Sequence, residues 1–171
     1  MIKISKKIRS IPDFPKKGIL FRDITPLLQD ATSFKEAIEL LADHYQDRKV
    51  DLVVSAEARG FILGAGIAYR LGVGFVPVRK PGKLPYEVKR ATYELEYGED
   101  SLEIHKDGVK KDDKVLVFDD LLATGGTARA ICQLVDELGA KIIGVCFLIE
   151  LSSLKGREKL KEHDIFSLIK Y

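Results

Sequence analysis

Two adjacent acids, Asp119 and Asp120, lie directly before a glycine-rich loop in the stretch VLVFDDLLATGGTA, residues 115–128. An apolar run of strand length precedes the acids, and apolar residues at helical spacing follow the loop. Gly125 and Gly126 permit backbone conformations and a close approach that a Cβ would block, and the neighbouring threonines can donate hydroxyl hydrogen bonds. The stretch could therefore hold an anion by backbone N–H groups at a helix N-terminus, and a plain glycine-containing turn, which a lone Gly-Gly pair favours, is the alternative.

The two acids are unsuited to facing that anion directly. A carboxylate about 4 Å from a phosphate would cost about 1 kcal/mol per charge pair in water, and about 4 kcal/mol at an effective dielectric of about 20. Such acids can instead accept hydrogen bonds from sugar hydroxyls, or help to hold a divalent metal ion beside the ligand. A ribose 5-phosphate, which has a diol next to its phosphate, satisfies both the loop and the acids. Compensation of a helix dipole is the alternative explanation of the paired acids.

Charged residues also follow two other apolar runs. SAEARGF leaves a predicted buried strand and enters a helix at Gly60, so its backbone and Arg59 could meet an anion. The alternative is a salt bridge between Glu57 and a neighbouring cation. RKPGKLPYEVK places three cations after the next strand, where a polyanion with magnesium would need positive charge, and a solvated basic loop is the alternative. These cations are Arg79, Lys80 and Lys83.

The elements that must position these residues alternate between strands and helices. Several apolar runs of strand length are apolar throughout, which is typical of parallel strands buried on both faces. They are VDLVVSA, VGFVPVRK, KVLVFDD, AKIIGVCFLIEL and DIFSLIKY. Helices are predicted from a capping box of Ser33 and Glu36, over RGFILGAGIAYRLG up to Gly72, and over GGTARAICQLVDELG. The predicted class is α/β, with a mostly parallel central sheet flanked by helices.

The ends of this pattern are less regular. Ile4, Ile8 and Ile11 recur at helical spacing and predict a short N-terminal helix. Residues 79–92 read as a loop, and from Tyr93 to His105 apolar and polar residues alternate around the turn residues GED, which predicts a hairpin with one wet face. SSLKGREKL predicts one or two helical turns.

Composition limits the classes of protein that need to be considered. A chain of 171 residues with 46% apolar and 32% charged residues is typical of one globular domain, and a net charge of +2 indicates no particular partner. Cys132 and Cys146 lack metal-ligand spacing and are expected to be buried, reduced thiols in a cytoplasmic protein. Since no signal peptide and no apolar run of about 18 residues is found, we expect neither a membrane nor nucleic acid among its partners.

The stretch VLVFDDLLATGGTA resembles the phosphoribosyl pyrophosphate signature of the type I phosphoribosyltransferases. The resemblance implies that Asp119 and Asp120 bind the ribose hydroxyls. It also implies a fold with an N-terminal hood over about residues 1–30, a flexible loop over about residues 79–105, a homodimer, and Mg²⁺ bound with the substrate instead of by protein ligands alone. The residues implied to cradle the 5-phosphate are Ala123, Thr124, Gly125, Gly126 and Thr127.

Other segments resemble the members of this family that use adenine. These are GILFRDITPLL, EARGF, GFVPVRKPGKLP, YELEYG and ELSSLKGREKL. The implied reaction joins adenine to the ribose of phosphoribosyl pyrophosphate and gives AMP and pyrophosphate. The backbone at Leu20 would read the exocyclic amine, Phe21 would stack, Arg22 would lie near the ring and Leu151 would close the opposite face. The residues implied to contact pyrophosphate are Glu57, Ala58, Arg59, Arg79, Lys80 and Lys83.

The candidate catalytic residue is Glu96, with Tyr97 beside it, on a mobile flap implied by the resemblance. Transfer at the anomeric carbon develops positive charge on the sugar while the purine loses a proton, and a carboxylate could stabilise the first or accept the second. A solvent-facing hairpin residue is the alternative for Glu96.

Two other functions compete with this one. The first is a phosphoribosyltransferase for another base, such as xanthine, hypoxanthine or guanine, but such relatives are not expected to combine FRDITPLL with LEYG. The second is a regulatory module that senses phosphoribosyl pyrophosphate, which would need an added DNA-binding segment for which 171 residues leave no room.

Overall fold

A computed structural model describes residues 2–94 and 99–171, and its centre is a sheet of five parallel strands. The strands lie in the order β4, β3, β7, β8, β9. Their interiors are buried, as the continuous apolar runs predict, so the α/β class and the parallel sheet are confirmed. The strands are β3 (Leu52–Ala56), β4 (Gly74–Val78), β7 (Lys114–Leu122), β8 (Lys141–Glu150) and β9 (Ile165–Lys170).

Helices cover both faces of this sheet. On one face, α3 (Ala31–Asp43) and α4 (Arg59–Leu71) bury Leu41, Leu63 and Ile67 against β3, β7 and β8. On the other face lies α5 (Gly126–Glu137), which buries a stripe of apolar residues against the sheet. The predicted end of α4 is confirmed, because Gly72 takes the left-handed conformation with φ 71° and caps the helix.

The N-terminal residues form a small hood beside the sheet. It contains α1 (Ile2–Ser5), β1 (Arg9–Pro12), β2 (Leu20–Asp23) and α2 (Thr25–Gln29). The predicted helix through Ile11 is wrong, because β1 pairs antiparallel with β2 and places Ile11 opposite Phe21. Pairing between segments overrides the local helical spacing here.

The capping box predicted at Ser33 is also wrong. Helix α3 begins at Ala31, and Asp30 is its N-cap, whose carboxylate accepts a hydrogen bond from Ser33 N at 2.9 Å. Asp30 also pairs with Lys7 at 2.9 Å, so the cap joins α3 to the N-terminal residues. An ionised cap next to a lysine satisfies the helix end better than the hydroxyl of Ser33, which is buried.

A hairpin packs against α5, and it begins earlier than the alternating pattern predicts. Its strands are β5 (Val88–Glu94) and β6 (Glu99–His105), paired antiparallel, so part of the predicted 79–92 loop is strand. Glu103 was expected on the wet face, but it is only 2% exposed. Arg90 and Gly82 N hydrogen-bond to its carboxylate, and these contacts offset the cost of burying it. Glu96 and Tyr97 lie outside the described residues.

The predicted helical turns after β8 are two 3₁₀ helices, Ser152–Leu154 and Gly156–Leu160. A bidentate ion pair holds them, since Arg157 Nε and Nη2 each donate to the Glu150 carboxylate at 2.8 Å. Cys132 and Cys146 are both buried and free, as expected. Within residues 2–94 and 99–171, the helices are too short or too polar for any of them to cross a membrane.

Candidate active site

A cavity of about 310 Å³ opens where three neighbouring strands of the sheet end. Strands β4, β3 and β7 are adjacent and parallel, so their carboxyl ends and the N-termini of α4 and α5 meet at one edge of the sheet. This placement brings together residues from four separate segments of the chain. The cavity is lined by Ala56, Glu57, Ala58, Arg59, Lys80, Tyr93, Leu102, Asp119, Asp120, Leu121, Ala123 and Thr127.

Asp119 and Asp120 lie at the centre of this cavity with one cation beside them. Asp120 N donates to Asp119 Oδ1 at 2.9 Å, and Arg59 Nη2 lies 2.8 Å from Asp120 Oδ2. Burial, and then the charge of Asp120, raise the pKa of Asp119 well above its ordinary value. Burial also raises the pKa of Asp120, although Arg59 opposes the shift. The pair therefore holds more negative charge than its surroundings neutralise.

Gly60 lets the N-terminus of α4 approach this pair. A Cβ at Gly60 would lie 2.6 Å from Ser55 Oγ and 2.9 Å from Asp119 Oδ1. A side chain there would displace the Asp119 carboxylate from the end of the helix, where the dipole favours negative charge. The entry of α4 at Gly60 agrees with the sequence prediction to within one residue.

The glycine-rich loop turns from β7 into α5 as predicted. Gly125 is the N-cap of α5, with φ 81°, and its backbone packs against that of Gly156. A Cβ on Gly125 would lie 2.5 Å from Gly156 O, so the loop needs glycine for its conformation and for this approach. Ala123 and Thr127 line the main cavity, while residues 121–128 enclose a smaller space of about 50 Å³.

The carboxylate of Glu57 binds the cationic segment that follows β4. It accepts hydrogen bonds from Arg79 Nη2 at 3.0 Å, Lys80 N at 2.6 Å and Lys83 Nζ at 3.2 Å. Burial raises the pKa of Glu57, but these hydrogen bonds outweigh it and hold the pKa below its ordinary value. The predicted alternative of a salt bridge at Glu57 is thus correct for Arg79 and Lys83, whereas Arg59 pairs with Asp120.

Glu103 joins this cationic turn to the hairpin. Its backbone N–H and C=O pair with those of Arg79 at 2.7 and 2.9 Å, and its side chain accepts a hydrogen bond from Gly82 N at 2.9 Å. Burial opposes ionisation of Glu103, yet Arg90 and Gly82 lower its pKa. The position of Arg79 and Lys80 therefore depends on a buried acid that the alternating pattern assigned to solvent.

A chain of polar contacts crosses from the glycine-rich loop to the hairpin. Thr127 Oγ1 donates to Tyr93 Oη at 3.5 Å, and Tyr93 Oη donates to Asp100 Oδ2 at 3.3 Å. Lys80 Nζ forms an ion pair with the same carboxylate oxygen. Tyr93 and Asp100 were not predicted as site residues, because the pattern placed them on the hairpin and in its turn.

A second cavity, of about 450 Å³, lies between the hood and the 3₁₀ segment. Leu20, Arg22 and Leu151, three of the four residues expected to contact the base, line this cavity, and Thr124 of the glycine-rich loop reaches it as well. Phe21 is not among its lining residues, because its ring packs edge-on against Phe14 with centroids 5.1 Å apart. The remaining lining residues are Gly18, Ile19, Ser153, Leu154 and Tyr171.

The acids of the first cavity suit a magnesium ion only with help from a ligand. Within residues 2–94 and 99–171, no group of three or more His, Cys, Asp or Glu is placed to hold a metal ion. Asp119 and Asp120 offer adjacent carboxylate oxygens, the donor type that Mg²⁺ prefers, and their raised pKa values reflect charge that a cation would neutralise. These residues therefore fit a magnesium ion whose other ligands are water and substrate oxygens.

Replacing Asp119 by asparagine should stabilise the protein at neutral pH. Because its folded pKa lies above the ordinary 3.8, ionised Asp119 destabilises the fold increasingly as pH rises from about 3.8 through the folded pKa. In metal-free buffer we expect Asp119→Asn to raise the melting temperature at pH 7, with a smaller difference at pH 4. The amide oxygen can still accept the Asp120 N–H.

The matched control is Asp47→Asn, which removes one carboxylate from an exposed position. A lower melting temperature for Asp119→Asn at pH 7, or a difference that widens on acidification, would contradict the assignment of Asp119 as a partly buried acid with a raised pKa.

Comparisons with known proteins agree with this geometry. Residues 24–170 match the family described as "Phosphoribosyl transferase domain". An adenine phosphoribosyltransferase of Thermotoga petrophila is 57% identical over 168 residues, which cover 98% of this chain and 99% of that protein.

Solved structures of the same kind of enzyme superpose closely. The crystal structure of adenine phosphoribosyltransferase from Thermoanaerobacter pseudethanolicus has a TM-score of 0.98 at 59% identity, covering 99% of both chains. That of Saccharomyces cerevisiae, in complex with D-2,5-dideoxy-2,5-imino-altritol 1,6-bisphosphate and adenine, has a TM-score of 0.91 at 42% identity, covering 98% of this chain and 97% of that one. This chain therefore belongs to the phosphoribosyltransferase family and, within it, to the adenine phosphoribosyltransferases.

Proposed function

We propose that this protein transfers the phosphoribosyl group of phosphoribosyl pyrophosphate to adenine and gives AMP and pyrophosphate, a step of purine salvage. The observation that carries the proposal is the position of the glycine-rich loop between two cavities. Ala123 and Thr127 line the cavity that holds the acids, and Thr124 lines the cavity beneath the hood. A sugar phosphate held at the loop would thus face a base on one side and a leaving group on the other. The adenine-bound yeast relative supports adenine as that base.

Different loops around the first cavity would bind different parts of the sugar substrate. Backbone N–H groups at Gly125, Gly126 and Thr127 take the 5-phosphate, because the N-terminus of α5 favours an anion. Asp119 and Asp120 accept hydrogen bonds from the ribose hydroxyls. The pyrophosphate lies towards Glu57, Ala58 and the cations Arg59, Arg79, Lys80 and Lys83.

Each of these cations is already engaged by a carboxylate of the chain. Arg59 pairs with Asp120, Arg79 and Lys83 with Glu57, and Lys80 with Asp100. Phosphate oxygens would replace or join these partners, so the cations are oriented before the substrate arrives. This arrangement reduces the side-chain entropy that binding must otherwise overcome.

Magnesium is the proposed metal ion, held by Asp119 and Asp120 through their carboxylate oxygens or bound water, together with the substrate. Its contribution would be to neutralise negative charge on the diphosphate leaving group. Arg59 next to Asp120 limits how much of that acid's charge is free for a metal or a hydroxyl.

For the base, the cavity beneath the hood offers backbone groups and two apolar faces. The Leu20 carbonyl would accept a hydrogen bond from the exocyclic amine, Arg22 would contact the ring, and Leu151 would cover one face. Stacking on an aromatic residue such as Phe21 is worth about 1–3 kcal/mol per base but does not distinguish purines. Since Phe21 packs on Phe14, its ring would need to turn towards the base on binding.

Glu96 is the proposed catalytic residue, with Tyr97 beside it. Both follow β5, whose residue Tyr93 reaches the first cavity, and both precede β6, which carries Asp100. A flap formed by this part of the hairpin would cover the reacting carbon and exclude water, which competes with adenine as nucleophile. The carboxylate would stabilise the positive sugar or accept the purine proton.

We also propose that two copies associate through α4. Ile62 and Tyr69, at helical spacing on this helix, are 43% and 90% exposed, which is unusual for large apolar side chains on one face. A mass of one chain in sedimentation equilibrium would exclude this dimer.

The free thiols of Cys132 and Cys146 support a reducing, cytoplasmic location.

A panel of bases tests the proposed reaction. With phosphoribosyl pyrophosphate and magnesium, we expect pyrophosphate release with adenine to exceed that with hypoxanthine, guanine or xanthine on the order of 100-fold or more, because hydrogen-bonding pockets reject mismatched bases. Comparable turnover of a 6-oxopurine would favour a different purine enzyme. Tight binding of phosphoribosyl pyrophosphate without turnover of any base would favour a sensing module.

The phosphate loop has a matched pair of glycines for mutagenesis. Gly125 and Gly139 have φ values of 81° and 82°, so alanine strains both positions similarly, by about 1 kcal/mol. At Gly125 the added Cβ would lie 2.5 Å from Gly156 O, whereas at Gly139 the nearest atom is 3.4 Å away in the Lys111 side chain. We expect Gly125→Ala to raise KM for phosphoribosyl pyrophosphate by about tenfold or more, equivalent to about 1.4 kcal/mol. Equal KM values for the two variants would refute the role of this loop.

A catalytic role of Glu96 predicts a change in kcat and not in KM. Glu96→Gln should lower kcat by about 100-fold or more with little change in either KM, because the carboxylate acts on charge that develops in the transition state. Glu99→Gln, at the start of β6, is the control. An unchanged kcat in Glu96→Gln would remove this residue from the mechanism.

A further inference from the structure

Arg22 is held in the wall of the base cavity by contacts that leave its charge without an acid. Its guanidinium carbon lies 3.6 Å from the centroid of the Tyr171 ring, and Nη1 donates to Ser10 Oγ at 2.5 Å. Within residues 2–94 and 99–171, Arg22 forms no ion pair with a carboxylate, and its Nε is buried without a hydrogen-bond partner. The ring of Tyr171 is thus the main group that faces this cation.

Tyr171 is itself fixed through its backbone. Its N–H donates to Glu150 O at 2.9 Å, and its carbonyl accepts a hydrogen bond from Ser152 N at 2.8 Å. These two hydrogen bonds are to the residues on either side of Leu151, which is predicted to cover the base. They therefore fix Tyr171 relative to Leu151 in the same cavity wall. Tyr171 as a whole is 38% exposed, and the Arg22 guanidinium lies over one face of its ring.

The backbone of Arg22 links this contact to the first cavity. Arg22 O accepts a hydrogen bond from Arg59 Nη1 at 3.3 Å, and the same guanidinium pairs with Asp120. The guanidinium carbon of Arg59 also lies 5.0 Å from the ring centroid of Phe21. The position of β2 beside the base therefore depends on Tyr171 from one side and on Arg59 from the other.

We propose that Tyr171 is a positioning and specificity-determining residue for the purine. Its ring holds the Arg22 guanidinium by a cation–π contact, which keeps the β2 backbone from Leu20 to Arg22 in register with the edge of the base. Because this backbone distinguishes a 6-amino from a 6-oxo group only when it is well placed, loss of the ring weakens both adenine binding and selectivity. The inference rests on the proposed function as an adenine-using enzyme.

The test compares two substitutions at Tyr171 by steady-state kinetics. Tyr171→Leu removes the π face, and should raise KM for adenine by about 3- to 30-fold, the range of a cation–π contact, while KM for phosphoribosyl pyrophosphate stays within about twofold. The ratio of kcat/KM for adenine to that for hypoxanthine should fall. Tyr171→Phe keeps the face and should match the wild type.

A double-substitution cycle separates this role from a general effect on folding. In an Arg22→Met background, Tyr171→Leu should cause no further rise in KM for adenine, because the cation that the ring holds is absent. Equal effects of Tyr171→Leu in the two backgrounds would overturn the proposal, as would an equal rise in both KM values or a wild-type KM in the Tyr171→Leu enzyme. Failure of the wild type itself to use adenine would instead overturn the proposed function.

Discussion

Two neighbouring carboxylates at the end of β7 lie in an open cavity next to the guanidinium of Arg59, and much of the surrounding structure accommodates their charge. Gly60 brings the N-terminus of α4 to Asp119, and Arg59 from the same helix reaches Asp120. Because burial raises the pKa of both acids, ionising them lowers the stability of the fold. A substrate that supplies hydroxyl donors and a metal ion would relieve it, which explains why the acids can persist there.

The loop after β4 presents the complementary situation. Its cations are held mainly by acids that have little exposure to solvent. Glu57 and Glu103 are both largely buried, and each orients part of this loop through side-chain and backbone contacts. An acid buried beneath a cationic surface sets the direction of the cations without occupying the space in front of them. The same principle applies at Arg157, where Glu150 fixes the 3₁₀ segment from behind.

The sequence predicted the central sheet and the glycine-rich turn from β7 into α5 because those features follow from local rules. Strands buried on both faces must be apolar throughout, and a helix N-terminus that approaches an anion needs glycine. Residues whose role depends on tertiary pairing had no such signal. Asp30 caps α3 in place of Ser33, Ile11 joins a strand instead of a helix, and Tyr171 reaches the base cavity only because β9 lies beside β8. The roles of Glu57 and Arg59 were open between ligand contact and salt bridge, since spacing cannot tell which acid each cation meets.

The contact between Gly125 and Gly156 has a consequence for how such a site can diversify. The segment that begins at Leu151 supplies one wall of the cavity beneath the hood, and five residues later its backbone packs against the glycine-rich loop. The spacing between the cavity beneath the hood and the glycine-rich loop is therefore set by a contact of main chain with main chain. In the proposed reaction, side chains of this wall, such as Ser153 and Leu154, can therefore be exchanged to accept another base without moving the backbone that supports the loop.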